Sequence, residues 1–246
     1  METASKRTAL VTGGSGGIGR AIVNQLAQEG YAVAVHYAGN QQVADELVQH
    51  IIEGGGSAIA VDGDIADETA MASAFDATEA AFGGIDVLVH TAGIMRLKPV
   101  VDLDLTELDA VHRTNIRGTF VVDQLAARRL RAEGAIVNFS TSVVGLQFPS
   151  YAAYAASKGA VEALTLILAR ELRGRDVTVN CVAPGPTATP LFLDGKDEAT
   201  ISHLAAQPPL ERLGQPEDIA ELVAFLVGPR GRWVNGQNIR TNGGII

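Results

Sequence analysis

Tyr154 and Lys158 stand four residues apart in Tyr154-Ala-Ala-Ser-Lys158, a spacing that sets a phenol and an ammonium on the same face of a helix. A nearby cation favours phenolate, so the pair reads as a tyrosine whose pKa is drawn below its ordinary value of about 10. Such a phenol can exchange a proton with a substrate near neutral pH. Tyr151 is an internal contrast, because Ala155 occupies the matching position. A second candidate is the run Thr12-Gly-Gly-Ser-Gly-Gly-Ile-Gly19. Glycines allow a tight turn and the close approach of a phosphate, and the helix that follows offers free N–H groups and a positive dipole end. Three templates fit the run: Gly14-x-Gly16-x-x-Gly19, Gly13-x-x-x-Gly17-x-Gly19, and a hydrolase elbow Gly13-x-Ser15-x-Gly17. A strand before and a helix after favour phosphate binding. An elbow normally lies deep in a chain, and no supported acid and histidine accompany Ser15.

An acid that bonds a ribose 2′-hydroxyl is expected at the end of the second strand. Here that region reads Val35-His-Tyr37-Ala38-Gly39-Asn40, without a carboxylate. Nothing there repels a 2′-phosphate, so NADP(H) is favoured over NAD(H). No Arg or Lys stands in either loop, which leaves the backbone N–H groups of Ala38 and Gly39 and the Asn40 side chain to receive that phosphate.

The elements that must position these groups are legible as short Val/Ile/Ala runs at 8–12, 32–36, 57–61, 85–90, 135–139, 177–182 and 238–241. Amphipathic stretches lie between them, for example 18–29, 43–53, 68–82 and 157–172, several followed by glycine, as at Gly30 and Gly83. Glycine just past a helix accommodates a left-handed terminal residue. Strands with little internal alternation are buried on both faces. Seven of them alternating with helices predict one doubly wound α/β domain of the Rossmann type over residues 1–246. The irregular segment at about 186–212 reads as a lid over a site, since long insertions in compact domains are usually functional.

Composition limits the alternatives. Of 246 residues 47% are hydrophobic, enough for a substantial core, and the net charge of −9 argues against nucleic acid or an anionic membrane as partner. The single cysteine, Cys181, excludes an internal disulfide, and its apolar strand marks it as a packing residue. The five histidines (36, 50, 90, 112 and 203) show no metal-ligand spacing and read as surface or satisfied core positions. No apolar run approaches the roughly 18–20 residues of a membrane span. The charged start Met1-Glu-Thr-Ala-Ser-Lys-Arg7 has no apolar stretch of a signal peptide, so a cytoplasmic location is expected.

Together these residues resemble the short-chain dehydrogenase/reductase family, along essentially the whole chain. Thr12-Gly13-x-x-x-Gly17-x-Gly19 looks like its cofactor motif, in which Ser15, Gly16 and Ile18 also face the dinucleotide, and Asp64-Ile65 resembles its adenine-contacting pair. Asn115 in Thr-Asn-Ile-Arg-Gly looks like its structural and catalytic asparagine. Three hydroxyls precede Val143-Val-Gly145; Ser142 is taken as the catalytic serine because Val-Val-Gly follows it directly. Pro184-Gly185-Pro-Thr187-Ala-Thr189 resembles the nicotinamide-side motif. One departure is His90-Thr91-Ala92-Gly93, where a threonine replaces the family's second asparagine.

The resemblance implies reversible hydride transfer between a nicotinamide and a carbonyl carbon, interconverting a ketone and a secondary alcohol. Tyr154 would be the acid, Ser142 the donor to the carbonyl oxygen, Lys158 the group that acidifies Tyr154 and binds the ribose, and Asn115 the holder of a water on the proton path. Met95, Leu97, Leu146, Phe148, Tyr151, Leu191 and Phe192 predict an apolar substrate pocket, with Arg96 the one candidate for a substrate carboxylate. Arg128, Arg129 and Arg131 suit a helix C-terminus, or an acidic acyl carrier protein if the chain is a 3-oxoacyl-[acyl-carrier-protein] reductase. A non-catalytic NADP-binding sensor would not need Asn115, Ser142, Tyr154 and Lys158 together. The resemblance further implies a homotetramer joined through the long helices after strands four and five.

Overall fold

The computed structural model describes residues 6–246; the first five residues of the chain lie outside it. Seven strands run parallel in the order β3-β2-β1-β4-β5-β6-β7. They are β1 (Thr8–Thr12), β2 (Ala32–Tyr37), β3 (Ser57–Asp62), β4 (Val87–His90), β5 (Gly134–Phe139), β6 (Val177–Pro184) and β7 (Asn238–Thr241). The helices are α1 (Gly17–Gln28), α2 (Gln41–Glu53), α3 (Glu68–Phe82), α4 (Leu105–His112), α5 (Gly118–Arg129), α6 (Val143–Leu146), α7 (Ala152–Glu171), α8 (Pro190–Leu193), α9 (Glu198–Ala205) and α10 (Pro216–Val227). The order of strands reverses between β1 and β4, and a crevice opens beyond their carboxyl ends.

Alternation along each strand supplies two separate cores. Ala9, Val11, Val33, Val35, Val87 and Val89 pack against α1, α2 and α10, whose Ile22, Leu26, Leu47, Ile219 and Val223 are fully or almost fully buried. Leu10, Ala34, Leu88, Ile136 and Val179 point to the opposite face, onto Met71 and Phe75 of α3, Val122 and Ala126 of α5 and Leu168 of α7. Residues 8–12, 32–36 and 85–90 therefore carry apolar side chains on both faces, as their unbroken runs predict. The fourth run begins its strand at Val87, two residues late, although the Asp86 backbone already bonds Thr8 and Ala135 on either side. The Asp86 carboxylate accepts the Thr8 N–H at 2.6 Å and binds Arg131 at 2.5–2.8 Å.

Helix ends follow local chemistry. Asp67 caps α3 through the Thr69 and Ala70 N–H groups, and the helix stops at Gly83 in the left-handed conformation (φ +80°). α10 opens on Pro216 with a capping box between Gln215 and Asp218. The segment after β6 is more ordered than a connector: it contains α8 and α9 and is tied back by a bridge between Thr187 and Gly214.

α7 corrects the reading of apolar runs. Its 20 residues are long and apolar enough to cross a membrane by length and composition. In this fold it packs on β6 and holds Ser157, Lys158 and Thr165 buried. It also begins at Ala152, five residues before the amphipathic run at 157–172, because the alanine-rich turn around Tyr154 is a good helix former that carries no apolar stripe.

A polar cluster sits beneath α7. Asp123 on α5 is 2% exposed and accepts the Asn138 amide at 2.7 Å; that amide also donates to Thr165 Oγ1 at 3.1 Å. One oxygen of Asp123 and the carbonyl oxygen of Asn138 have no partner. Burial pushes the Asp123 carboxyl up to about 7, against the Asn138 hydrogen bond, which lowers it. The folded protein therefore holds a proton that the unfolded chain releases above about pH 4, and stability falls as pH rises from there to about 7. The difference amounts to about 4 kcal/mol in total. Asp123→Asn removes this titration. The amount by which its melting temperature exceeds that of wild type should be several degrees larger at about pH 8 than at about pH 4–5; thermal melts at the two pH values test this, and a difference independent of pH would refute it.

Candidate active site

The glycine loop leaves β1 at Thr12 and enters α1. Gly13 takes φ +65°, a conformation that favours glycine, and its α-carbon faces the Ala92 backbone so closely that a β-carbon would stand 2.9 Å away. At Gly19 a β-carbon would overlap the Gly13 carbonyl oxygen and the Thr91 hydroxyl. The threonine that replaces asparagine thus has a place: Thr91 Oγ1 donates to the Thr12 carbonyl at 2.6 Å and packs against Gly19. Gly16 precedes α1 without any side-chain cap, and no acidic residue occupies the first turn. The first N–H groups of α1 are left for an anion, so the loop fits a dinucleotide pyrophosphate, with Ser15, Gly16, Gly17 and Ile18 at its rim.

The remaining cofactor positions separate into exposed and inward-facing groups. Ala38, Gly39 and Asn40 are exposed beyond β2, next to the half-buried Tyr37. The Asn40 carboxamide oxygen caps α2 through Val43 N–H at 3.3 Å. Asp64 is exposed but engaged, accepting Ala66 N–H and pairing with Arg113 at 2.6 Å. These bonds hold its carboxyl below the ordinary range, although burial opposes them. Ile65 turns inward, 4% exposed, with Gly118 against its side chain. Thr91 and Gly93 line the crevice after β4, while Ala92 packs against the core, and Gly185, Thr187 and Thr189 continue the crevice after Pro184. Thr189 also caps α8 through Phe192 N–H.

Asn115 sits in a single π-type turn, Arg113–Arg117, between α4 and α5. Such turns often mark functional sites. In the carboxamide, Nδ2 donates to Ile94 O at 2.9 Å and to Ser157 Oγ at 3.0 Å, and Oδ1 accepts Ile94 N–H at 2.9 Å. The side chain joins the loop after β4 to α7 with both donors and one lone pair of Oδ1.

Lys158 is 5% exposed and donates to the Phe139 carbonyl at 2.8 Å. Its Nζ lies 6.0 Å from the Tyr154 ring centre. Burial draws its pKa down to about 8. Burial also pushes the Tyr154 phenol up to about 12, helped by Tyr151, while Thr141 lowers it. Burial thus opposes the acidification expected from Lys158, whose ammonium is bonded to the Phe139 carbonyl.

Ser140, Thr141 and Ser142 all line the cleft that holds Tyr154. Ser142 is 1% exposed, donates to the Ala183 carbonyl at 3.0 Å and accepts from Asn242 Nδ2 at 3.0 Å. Ser140 donates to Glu162 at 2.6 Å. The expected serine, Ser142, thus has its hydroxyl engaged on both sides, while Thr141 stands beside it. The amides of residues 140 and 142 both pair with β6, at Val182 and Pro184, and strand alternation sends residue 141 the other way. The Val-Val-Gly pattern did not carry that register.

These groups share one cleft. Its apolar wall comprises Ile18, Met95, Val143, Leu146, Phe148, Tyr151, Leu191, Phe192 and Leu204. Phe148 and Tyr151 meet edge to face at 5.9 Å. Leu97 is not in the lining, whereas Leu204 of α9 is. Arg96 is exposed outside it. Arg129 binds Asp76 and Glu79 and Arg131 binds Asp86, so two of the three cations near the end of α5 already have carboxylate partners.

The family model described as enoyl-(acyl carrier protein) reductase matches residues 13–246. A solved short-chain dehydrogenase of Burkholderia cenocepacia, in complex with NADP, is 40% identical, with a TM-score of 0.91, covering 100% of this chain and 99% of that one. The chain belongs to the short-chain dehydrogenase/reductase family. Within the family it is similar to the NADPH-dependent aldehyde reductase-like protein, chloroplastic, of Arabidopsis thaliana, at 41% identity over 98% of this chain and 94% of that protein. It is also similar to the 3-oxoacyl-[acyl-carrier-protein] reductase of Staphylococcus aureus, at 39% identity over 97% of this chain and 98% of that protein.

Steric closure at the family's glycine loop gives a direct test. Gly19→Ala should weaken dinucleotide binding by about a hundredfold, because the loop must shift to clear the new methyl. Titration of nucleotide fluorescence measures this, and unchanged affinity would remove the loop from the site.

Proposed function

We propose that this chain is an NADP(H)-dependent reductase that interconverts a ketone and a secondary alcohol with apolar substituents. The observation that carries the reading is one apolar cleft in which Tyr154, Thr141 and Lys158 meet beside the glycine loop. The dinucleotide, when bound, supplies the hydride. Tyr154 donates the proton to the carbonyl oxygen, and Thr141 orients that oxygen by a hydrogen bond. Lys158, lying between Gly93 and the Phe139 carbonyl, would hold the ribose hydroxyls. Asn115 acts as a positioning residue that clamps Ile94 against α7.

Preference for NADP(H) is supported by the absence of a carboxylate after β2 and by the relatives that carry NADP(H) in their names. Its 2′-phosphate would meet the exposed backbone of Ala38–Asn40 at the start of α2. Exposed Leu105, Phe120, Leu166 and Ile167 on α4, α5 and α7 support a homotetramer; sedimentation equilibrium should give four times the chain mass, and a monomer would dismiss it.

The activity test is NADPH consumption with a panel of ketones, with NADH compared in parallel. Tyr154→Phe should abolish turnover while leaving NADPH affinity within about twofold, since it removes only the proton donor. Thr141→Ala should lower kcat by about a hundredfold, and Ser142→Ala much less. Activity retained in Tyr154→Phe would sink the reading. The reverse ranking of the two hydroxyl variants would restore Ser142.

A further inference from the structure

Two buried histidines outside the catalytic set flank the start of the glycine loop. His36 is the penultimate residue of β2 at 1% exposure and His90 closes β4 at 2%. These are the strands on either side of β1, so each imidazole reaches the point where β1 becomes loop. We propose that His36 and His90 are positioning residues that latch Thr12 and Gly13 from both sides, each as a neutral imidazole with its proton on Nε2. This rests on the reading of the loop as a dinucleotide site.

The partners settle the proton positions. Gly13 N–H can only donate, and it points at His36 Nδ1 at 3.3 Å; the Gly63 carbonyl can only accept, and it lies 3.0 Å from His36 Nε2. Nδ1 must be bare and Nε2 must carry hydrogen. Protonation of His36 would set Nδ1–H against the Gly13 N–H and break the latch. For His90 the chain of bonds runs through Thr119, whose hydroxyl donates to the Asn115 carbonyl at 2.6 Å. That hydroxyl therefore accepts from His90 Nε2 at 3.1 Å, and Thr12 Oγ1 donates to His90 Nδ1 at 2.6 Å. The result is a one-way chain from the glycine loop through Thr12, His90 and Thr119 to the turn that carries Asn115.

The surroundings keep both rings neutral. Around His36, Asp62 and Asp64 favour the cation, but Asp64 is already paired with Arg113 and burial outweighs both. Burial draws His36 down to about 4. His90 faces the Lys158 ammonium and, further off, His36; burial and these charges bring it down to about 3. A latch of this kind matters because Gly13, at φ +65°, lies in a turn with no side chain of its own to hold it.

Two measurements test the latch. In the nucleotide-free protein, long-range nitrogen–proton NMR of the imidazoles should show bare Nδ1 and protonated Nε2 for both residues, without titration between about pH 5.5 and pH 8. A ring that titrates near its ordinary value, or carries hydrogen on Nδ1, overturns the proposal for that residue. Separately, His36→Leu and His90→Leu should weaken NADPH binding about tenfold or more, the effect of losing an orienting hydrogen bond. His36→Gln and His90→Gln should recover part of that loss, because a carboxamide offers both an acceptor and a donor. Folded leucine variants that bind NADPH like wild type overturn the latch. If a leucine variant does not fold, the NMR signature and the glutamine variant of that residue decide. Wild-type protein that binds no NADPH would instead refute the dinucleotide reading, and the NMR result would still stand on its own.

Discussion

Lys158 enters the interior on the second turn of α7 and donates a hydrogen bond to the Phe139 carbonyl at the end of β5. A buried ammonium is costly unless its donors are matched, and the groups around it are arranged accordingly. Asn115 draws Ser157, the residue before it, toward the loop after β4. Ser140, the residue after Phe139, is fastened to Glu162 one turn further along α7. The helix is thereby pinned to β5 on one side and to the π-type turn on the other. Tyr154, one turn earlier on the same helix, has little freedom to leave the cleft. The position of the phenol follows from the burial of the lysine.

The same economy of hydrogen bonds explains the glycine loop. Parallel strands bury both of their faces, so polar side chains at their carboxyl ends must find partners within the protein. Thr12, His36, His90, Thr91 and Thr119 satisfy one another and the backbone between them. What is left without an internal partner at the loop is the start of α1. Substrate selection is assigned to a different layer, the apolar side chains of α6, α8 and α9 and the loops beside them. These lie outside the two cores that hold the sheet together.

Composition, unbroken apolar runs and the Tyr-x-x-x-Lys spacing were enough to determine a parallel α/β fold, the glycine loop and the helix that carries Tyr154 and Lys158. Each of these is local: a period, a motif or a turn carries its own physics along the chain. Tertiary structure alone decided the partners of Ser140 and Ser142, which are Glu162 and Asn242, because they depend on the pairing of residues 140 and 142 with β6. It decided that Asn115 is a clamp, since its partners come from residues 94 and 157. It turned His36 and His90 from incidental core residues into neighbours of one loop, because strand order sets β2 and β4 on either side of β1. It also decided what surrounds Lys158, which is buried and bonded to the Phe139 carbonyl. Four residues of helix bring a lysine near a tyrosine, but whether the ammonium or the loss of water governs the phenol depends on how deeply both are buried, and burial is a property of the packed chain.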